Sequence, residues 1–258
     1  MTPEATLIRI RERGHLDLLD LALLVIRRRP RAIGLAAAAG IAPFATINAL
    51  LLSNPEFPRG LWPLLLYFEF PWATAPVTLV LGGLMFGRRP RPREILGQLA
   101  RATPAMVLVQ VIYRGLRATI LLLPFVSANP WFANPVILLE RAGAATAIRR
   151  SARLAMLCPT ATLPMAIAEI AFGLIFSICF WVGTGAAIST FIRGETTWAR
   201  PALGDASGLR FQAGVWIAVA FFGVARFFLY IDQRVRSEGW ELRLRLRAAA
   251  MELEGRPR

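Results

Sequence analysis

The chain has 258 residues, 56% of them hydrophobic, and a mean hydropathy of +0.52. Several apolar runs exceed the roughly 18–20 residues that cross a bilayer as a helix, which excludes an ordinary soluble protein and leaves no polar stretch of about 50 residues for a separate soluble domain. The formal charge of +14 comes from arginine alone, and the arginines flank apolar runs, a pattern of membrane orientation and anionic-lipid contact rather than of nucleic-acid binding.

Residues 4–29 read as an amphipathic helix. Arg9, Arg13, Asp17, Asp20, Arg27 and Arg28 fall on one stripe at 100° per residue, with leucines, Ala22, Val25 and Ile26 over the remainder. Such a helix lies in the cytoplasmic interface, its arginines on lipid phosphates, or packs its leucines against the bundle. The single histidine, His15, sits near its start and is expected at the surface. A cleavable signal peptide is not expected, because the first apolar run begins only after Arg31 and is longer than a signal core.

Spans are expected near 32–53, 61–86, 102–126, 128–142, 159–192 and 209–231, between a cytoplasmic helix over 1–31 and a basic tail over 232–258. Ser53-Asn54-Pro55 is a turn, and Gly87 to Arg93 is a basic loop carrying Arg88 and Arg89. The run over 159–192 is long enough to tilt or break near Gly183 and Gly185. The leg from Pro130 to Leu139 is difficult, since ten residues make about 15 Å of helix against roughly 30 Å of hydrocarbon. With Asn129-Pro130 and Asn134-Pro135 inside it, this leg is expected to be short or re-entrant.

Arginine counts decide the parity of that hairpin. If 102–139 goes in and returns, one side of the membrane holds 23 arginines and the other 4. A single crossing would instead divide them 15 against 12. The positive-inside rule favours the first arrangement, which places both termini in the cytoplasm, the hairpin's outer tip near Asn129 to Trp131, and Glu140 to Arg153 on the inner side.

Three segments then carry a family resemblance. The tail places Tyr230, Asp232, Arg234, Arg236, Glu238, Gly239, Trp240 and Glu241 in a Tyr-x-Asp-x-Arg-x-Arg-x-Glu-Gly-aromatic-acidic pattern. Earlier, VILLERAGAATAIRRSARL combines Glu140, Gly143, Ala147, Arg149, Arg150 and Ser151, and LLDLALLVIRRRPRA supplies an N-terminal amphipathic helix. Together these resemble the glycerophosphodiester phosphodiesterase membrane-domain family and related bacterial polytopic membrane proteins. The resemblance implies about six membrane segments, with a hairpin that ends at a proline before the Glu…Arg-Arg-Ser helix, in a bacterial inner membrane. In that family, hydrolysis belongs to a separate barrel domain that uses histidines and acidic metal ligands. This chain has one histidine, no such domain and no clustered carboxylates, so that catalysis is excluded.

No phosphate loop, catalytic triad or zinc spacing is present in the sequence, and no metal or cofactor is expected. Charges inside the spans are the sharpest pointers, because each is costly unless paired or hydrated. At 1.5 Å per residue, Glu69 lies about 12 Å deep from the outer side, with Arg117 about 14 Å and Arg114 about 18 Å deep. Glu69 is therefore expected to pair with Arg117 or Arg114. From the inner side, Glu169 at about 14 Å and Arg226 at about 8 Å are within reach of one side chain. Structural ion pairs are one reading, and a polar cavity for a solute or lipid headgroup is the other. Arg27, Arg28, Arg29, Arg88, Arg89, Arg149, Arg150 and Arg153 are expected to contact anionic headgroups or an acidic partner. The alternation of leucine and arginine over 242–247 leaves strand, frayed helix and surface segment open.

The expected fold is an all-α polytopic membrane bundle of about six segments with an N-terminal interfacial helix. The expected function is a non-catalytic partner or scaffold subunit of a bacterial cell-envelope complex. The alternative is a transporter or channel for a small solute or lipid that uses the intramembrane Glu/Arg pairs.

Overall fold

The computed structural model describes residues 14–85, 87–88, 90–119, 130–157, 159–192, 194 and 208–238. These are helical almost throughout, with no strand among them. In chain order the helices are α1 (His15–Arg28), α2 (Pro30–Ser53), α3 (Trp62–Met85), α4 (Pro92–Met106), α5 (Arg114–Thr119), α6 (Ala133–Glu140), α7 (Ala144–Leu157), α8 (Pro159–Ala187) and α9 (Leu209–Glu238). Five stretches are long and apolar enough to cross a membrane: Pro30–Ser53, Arg59–Met85, Pro92–Leu116, Pro164–Ile192 and Leu209–Ser237.

The helix ends follow local chemistry. Pro30 and Pro92 open α2 and α4 at the first-turn position where a missing N–H costs nothing. Beyond α2, the Asn54 side chain accepts a hydrogen bond from the Glu56 N–H at 3.0 Å and turns the chain. Gly87, at φ 69°, closes α3 with paired bonds from its own N–H to Leu84 O and from Arg88 N–H to Gly83 O.

The helices do not share burial equally. In their most apolar windows α3 and α9 are 67% and 72% buried, against 22% for α2 and 17% for α8. The pair α3 and α9 is thus the centre, and the others present apolar side chains outward. Ile167, Ile170, Phe172, Leu174, Ile175 and Phe176 are all exposed on α8, as expected of a lipid-facing surface.

Side-chain contacts give the helix directions. Trp62 meets Phe211 and Phe70 meets Trp216, so α3 and α9 run parallel. Arg226 reaches Glu169 while Phe211 meets Trp181, so α8 is antiparallel to α9. Asn48 binds Glu69, and Gly40 lies against Ala73, which makes α2 antiparallel to α3. The chain reverses between Met85 and Pro92, and Arg114 comes back to Tyr67, so α4 also opposes α3. It follows that α4 and α8 run the same way, and that the chain between them returns to the end it left. That end carries Arg27 to Arg31, Arg88, Arg91, Arg93, Arg141, Arg149, Arg153 and Arg234. The opposite end, with Trp62, Trp181 and Phe211, has Arg59 and Arg210 among its described residues.

The structure bears on four expectations. First, α1 buries Leu18, Leu21, Ala22 and Val25, its i, i+3, i+4, i+7 face, chiefly against α9. It is a packed member of the bundle that leaves Leu16, Leu23 and Leu24 outside, which selects the second of the two expected placements. Its length of apolar contact, unlike its amphipathic pattern, was set by what stood beside it.

Second, the hairpin's return helix α6 has eight residues, about 12 Å, and is short as expected. Third, α8 passes through Gly183 and Gly185 without a break and changes pitch only at a π-helical turn over Ile188–Ile192. Fourth, the third span begins at Pro92, ten residues before the expected start at 102. Pro92–Met106 is one helix that runs from the end of the basic loop into the apolar run, continued by a π-helical stretch over Val107–Tyr113. The outer tip expected near Asn129 to Trp131 is overturned at Trp131, whose ring lies 4.6 Å from the Arg226 guanidinium, far from the end of α9 that carries Phe211. Asn129, the loop over 195–207 and the alternating tail over 242–247 lie outside the described residues.

Candidate functional site: two polar clusters on one face of the last helix

Arg226, Tyr230 and Arg234 recur every four residues on α9 and so share one face. Arg226 contacts α8 and Trp131, while Tyr230 and Arg234 both reach Glu140 at the end of α6. The upper cluster surrounds Arg226, whose guanidinium is paired with the Glu169 carboxylate of α8. The same guanidinium sits 4.6 Å over the ring of Trp131, which delivers a cation–π contact on top of the ion pair. The structure brings Glu169 and Arg226 together.

Glu69 and Arg114 are not brought together. Glu69 is buried and accepts a hydrogen bond from the Asn48 side-chain amide at 2.7 Å. Arg114 lies 4.0 Å over the Tyr67 ring and donates to the Gln110 side chain at 3.2 Å. The expected Glu69–Arg114 pair fails because depth along two helices does not say which way each face points. The Arg117 side chain lies outside the described residues.

Gln110 continues the network inward. Its amide donates to the Asn134 side-chain oxygen at 2.8 Å, and Asn134 donates in turn to the Pro71 carbonyl at 2.5 Å. Asn134, one of the two asparagines of the broken hairpin, thereby ties α6 to both α3 and the π-helical stretch. Gln110 is the buried polar residue of the π-helical stretch, a kind of turn that recurs at functional sites.

The lower cluster centres on Glu140, the last residue of α6. One carboxylate oxygen accepts a hydrogen bond from the Tyr230 hydroxyl. The other lies 2.5 Å from Arg150 Nε of α7. Arg234 comes within 3.8 Å of the carboxylate and 3.5 Å of the Tyr230 oxygen. Ser151 accepts a hydrogen bond from the Phe132 N–H at 2.9 Å, which satisfies an orphan donor at the start of the α6 segment. Phe132 packs against Tyr230 at 6.2 Å between ring centres.

Two sequence motifs 90 residues apart thus meet in one knot. Arg150 belongs to it and is not a free headgroup contact. One turn on, Asp232 and Arg236 form their own pair at 2.7 Å within α9. Arg27, Arg28, Arg29, Arg88, Arg149 and Arg153 are exposed at the arginine-rich end. Arg89, Gly239 and Trp240 lie outside the described residues, as does the Glu238 side chain.

Asn48, Tyr67, Gln110 and Asn134 are site residues that charge counting passes over. Their signal was a polar side chain inside an apolar run, which is costly to bury unless it is hydrogen-bonded. Among the described residues no group of three His, Cys, Asp or Glu side chains could hold a metal ion. Compared with protein-family models, curated proteins and solved structures, the chain has no match.

Proposed function

We propose that the protein is a non-catalytic membrane component, a partner or scaffold subunit of a bacterial cell-envelope complex. The observation that carries this reading is the use of the intramembrane polar groups on one another. Glu169 with Arg226, Glu69 with Asn48, and Gln110 with Asn134 each tie two elements of the same bundle. Polar ties of this kind specify helix packing and are worth about 1 kcal/mol each. The family resemblance is part of the proposal. It is supported by the way Glu140, Arg150 and Ser151 of one motif meet Tyr230 and Arg234 of the other.

We place the arginine-rich end in the cytoplasm of an inner membrane, with both termini on that side and the 102–139 hairpin as a sixth, partly re-entrant segment. Single cysteines replacing Arg149 and Arg59, in a background with Cys158 and Cys179 changed to serine, test this placement. An impermeant thiol reagent added to intact cells is expected to label the cysteine at 59 and spare the one at 149. The reverse pattern would sink the orientation.

The transporter reading rests on Arg114, whose described partners Tyr67 and Gln110 are neutral. Cross-linking in native membranes followed by gentle solubilisation separates the two. A stoichiometric protein partner that survives Arg114→Gln is the expected result. A partner-free, monodisperse protein whose bound solute is lost in Arg114→Gln would replace the scaffold reading with transport.

A further inference from the structure

A cavity lined by neither cluster's charged groups lies beside the lower one. It holds about 470 Å³ between α4, α6 and the turn into α7, at the arginine-rich end. Its wall is mostly apolar, with Ala105, Leu108, Ile137 and Leu138 along it, and Arg101 and Arg141 stand at its mouth. Both arginines are exposed, and neither has a carboxylate partner among the described residues. Arg101 donates its Nε to the Gly97 carbonyl of its own helix at 3.0 Å.

Two further features converge on the same mouth. Gly143 and Ala144 line it, so the 14-residue α7 starts there, and the first-turn N–H groups of a helix have no intrahelical acceptor. Arg141 also sits at φ 55°, in the left-handed region. That position closes α6, and it is one that glycine or asparagine would fill most easily. A long cation holds it instead, while the glycine of the turn stands two residues later.

We propose that this cavity is a specific site for one anionic phospholipid. Its phosphate lies between Arg101, Arg141 and the start of α7, and an acyl chain follows the apolar wall toward Leu108. The arrangement matches a phosphodiester joined to a hydrocarbon chain, since the positive groups stand at the mouth and the apolar surface runs from them into the bundle. A free phosphate would use the mouth alone and leave the wall empty. The inference rests on the arginine-rich end facing an anionic leaflet, which the cysteine labelling tests separately.

The test uses full-length protein in a zwitterionic detergent, titrated with phosphatidylglycerol, phosphatidylcholine or inorganic phosphate and followed by native mass spectrometry. The variants are Arg101→Gln with Arg141→Gly, and Arg149→Gln as an exposed arginine outside the cavity. Arg141→Gly removes the charge and relaxes the backbone, so the fold is retained. One phosphatidylglycerol is expected to bind saturably. The double variant should weaken it roughly 30-fold, at about fivefold per arginine, with Arg149→Gln within about twofold of the unaltered protein. Equal weakening by Arg149→Gln would overturn the site in favour of diffuse charge attraction. Equal binding of phosphatidylcholine, unchanged binding in the double variant, or inorganic phosphate binding as tightly as the lipid would overturn it as well.

Discussion

Glu140→Ala is expected to lower the unfolding free energy of the bundle by about 3 kcal/mol. The carboxylate serves three partners at once: the Tyr230 hydroxyl, Arg150 and, more distantly, Arg234. Its side chain is 14% exposed, while those of Arg150 and Arg234 are 34% and 27% exposed. Alanine would leave a buried phenol without its acceptor and would take the Glu140 carboxylate away from two neighbouring guanidinium groups. Breaking a fully buried pair costs about 3–5 kcal/mol, and the partial exposure of the arginines puts this case at the low end, because water can reach them. Glu140→Gln keeps the shape and an acceptor for Tyr230 but removes the charge, and about half the loss is expected. Both are read as the shift in the midpoint of helicity loss when sodium dodecyl sulfate is titrated into detergent-solubilised protein. A midpoint unchanged in Glu140→Ala would mean that the knot does not hold the α6–α7 hairpin to α9.

The second large effect is expected at Gly40. A Cβ built there would stand 2.1 Å from the Ala73 carbonyl oxygen and 3.1 Å from the Pro76 ring. Neither neighbour is the free end of a flexible side chain, so α2 and α3 must separate. Separation would also stretch the Asn48–Glu69 hydrogen bond two turns along the same interface and leave Glu69 buried without its partner. Gly40→Ala is therefore expected to cost about 3 kcal/mol, the upper part of the range for overpacking. Gly34, on the same helix, has nothing within 4 Å of an added Cβ. Gly34→Ala should change stability by no more than about 0.5 kcal/mol. Similar denaturation midpoints for the two variants would refute close packing of α2 on α3.

Much of the site was legible, but only along one axis. Glu169 and Arg226 could be matched because each lies a calculable number of residues from the same end of its helix, and both belong to elements joined by a polar loop. Glu69 and Arg114 pass the same depth test and still find different partners. Rotation about the helix axis decides that, and in a run apolar on every face no periodicity reveals it. The Glu140 knot was visible only as two unrelated motifs. Nothing in their spacing indicates that α6 would end beside Tyr230.

The sequence by itself determined the class of the protein, the approximate positions of most of its long apolar helices and the gathering of arginines at one end. These are properties of the chain in one dimension: run length against bilayer thickness, and charge against run boundaries. Only the tertiary structure decided that α1 packs on α9, that α3 and α9 form the centre, and which polar groups meet. In lipid an apolar face gains little by choosing one helix over another, so the choice rests on close-packing glycines such as Gly40 and on a few polar contacts. Those depend on side-chain direction and helix crossing, which emerge only when the helices are assembled.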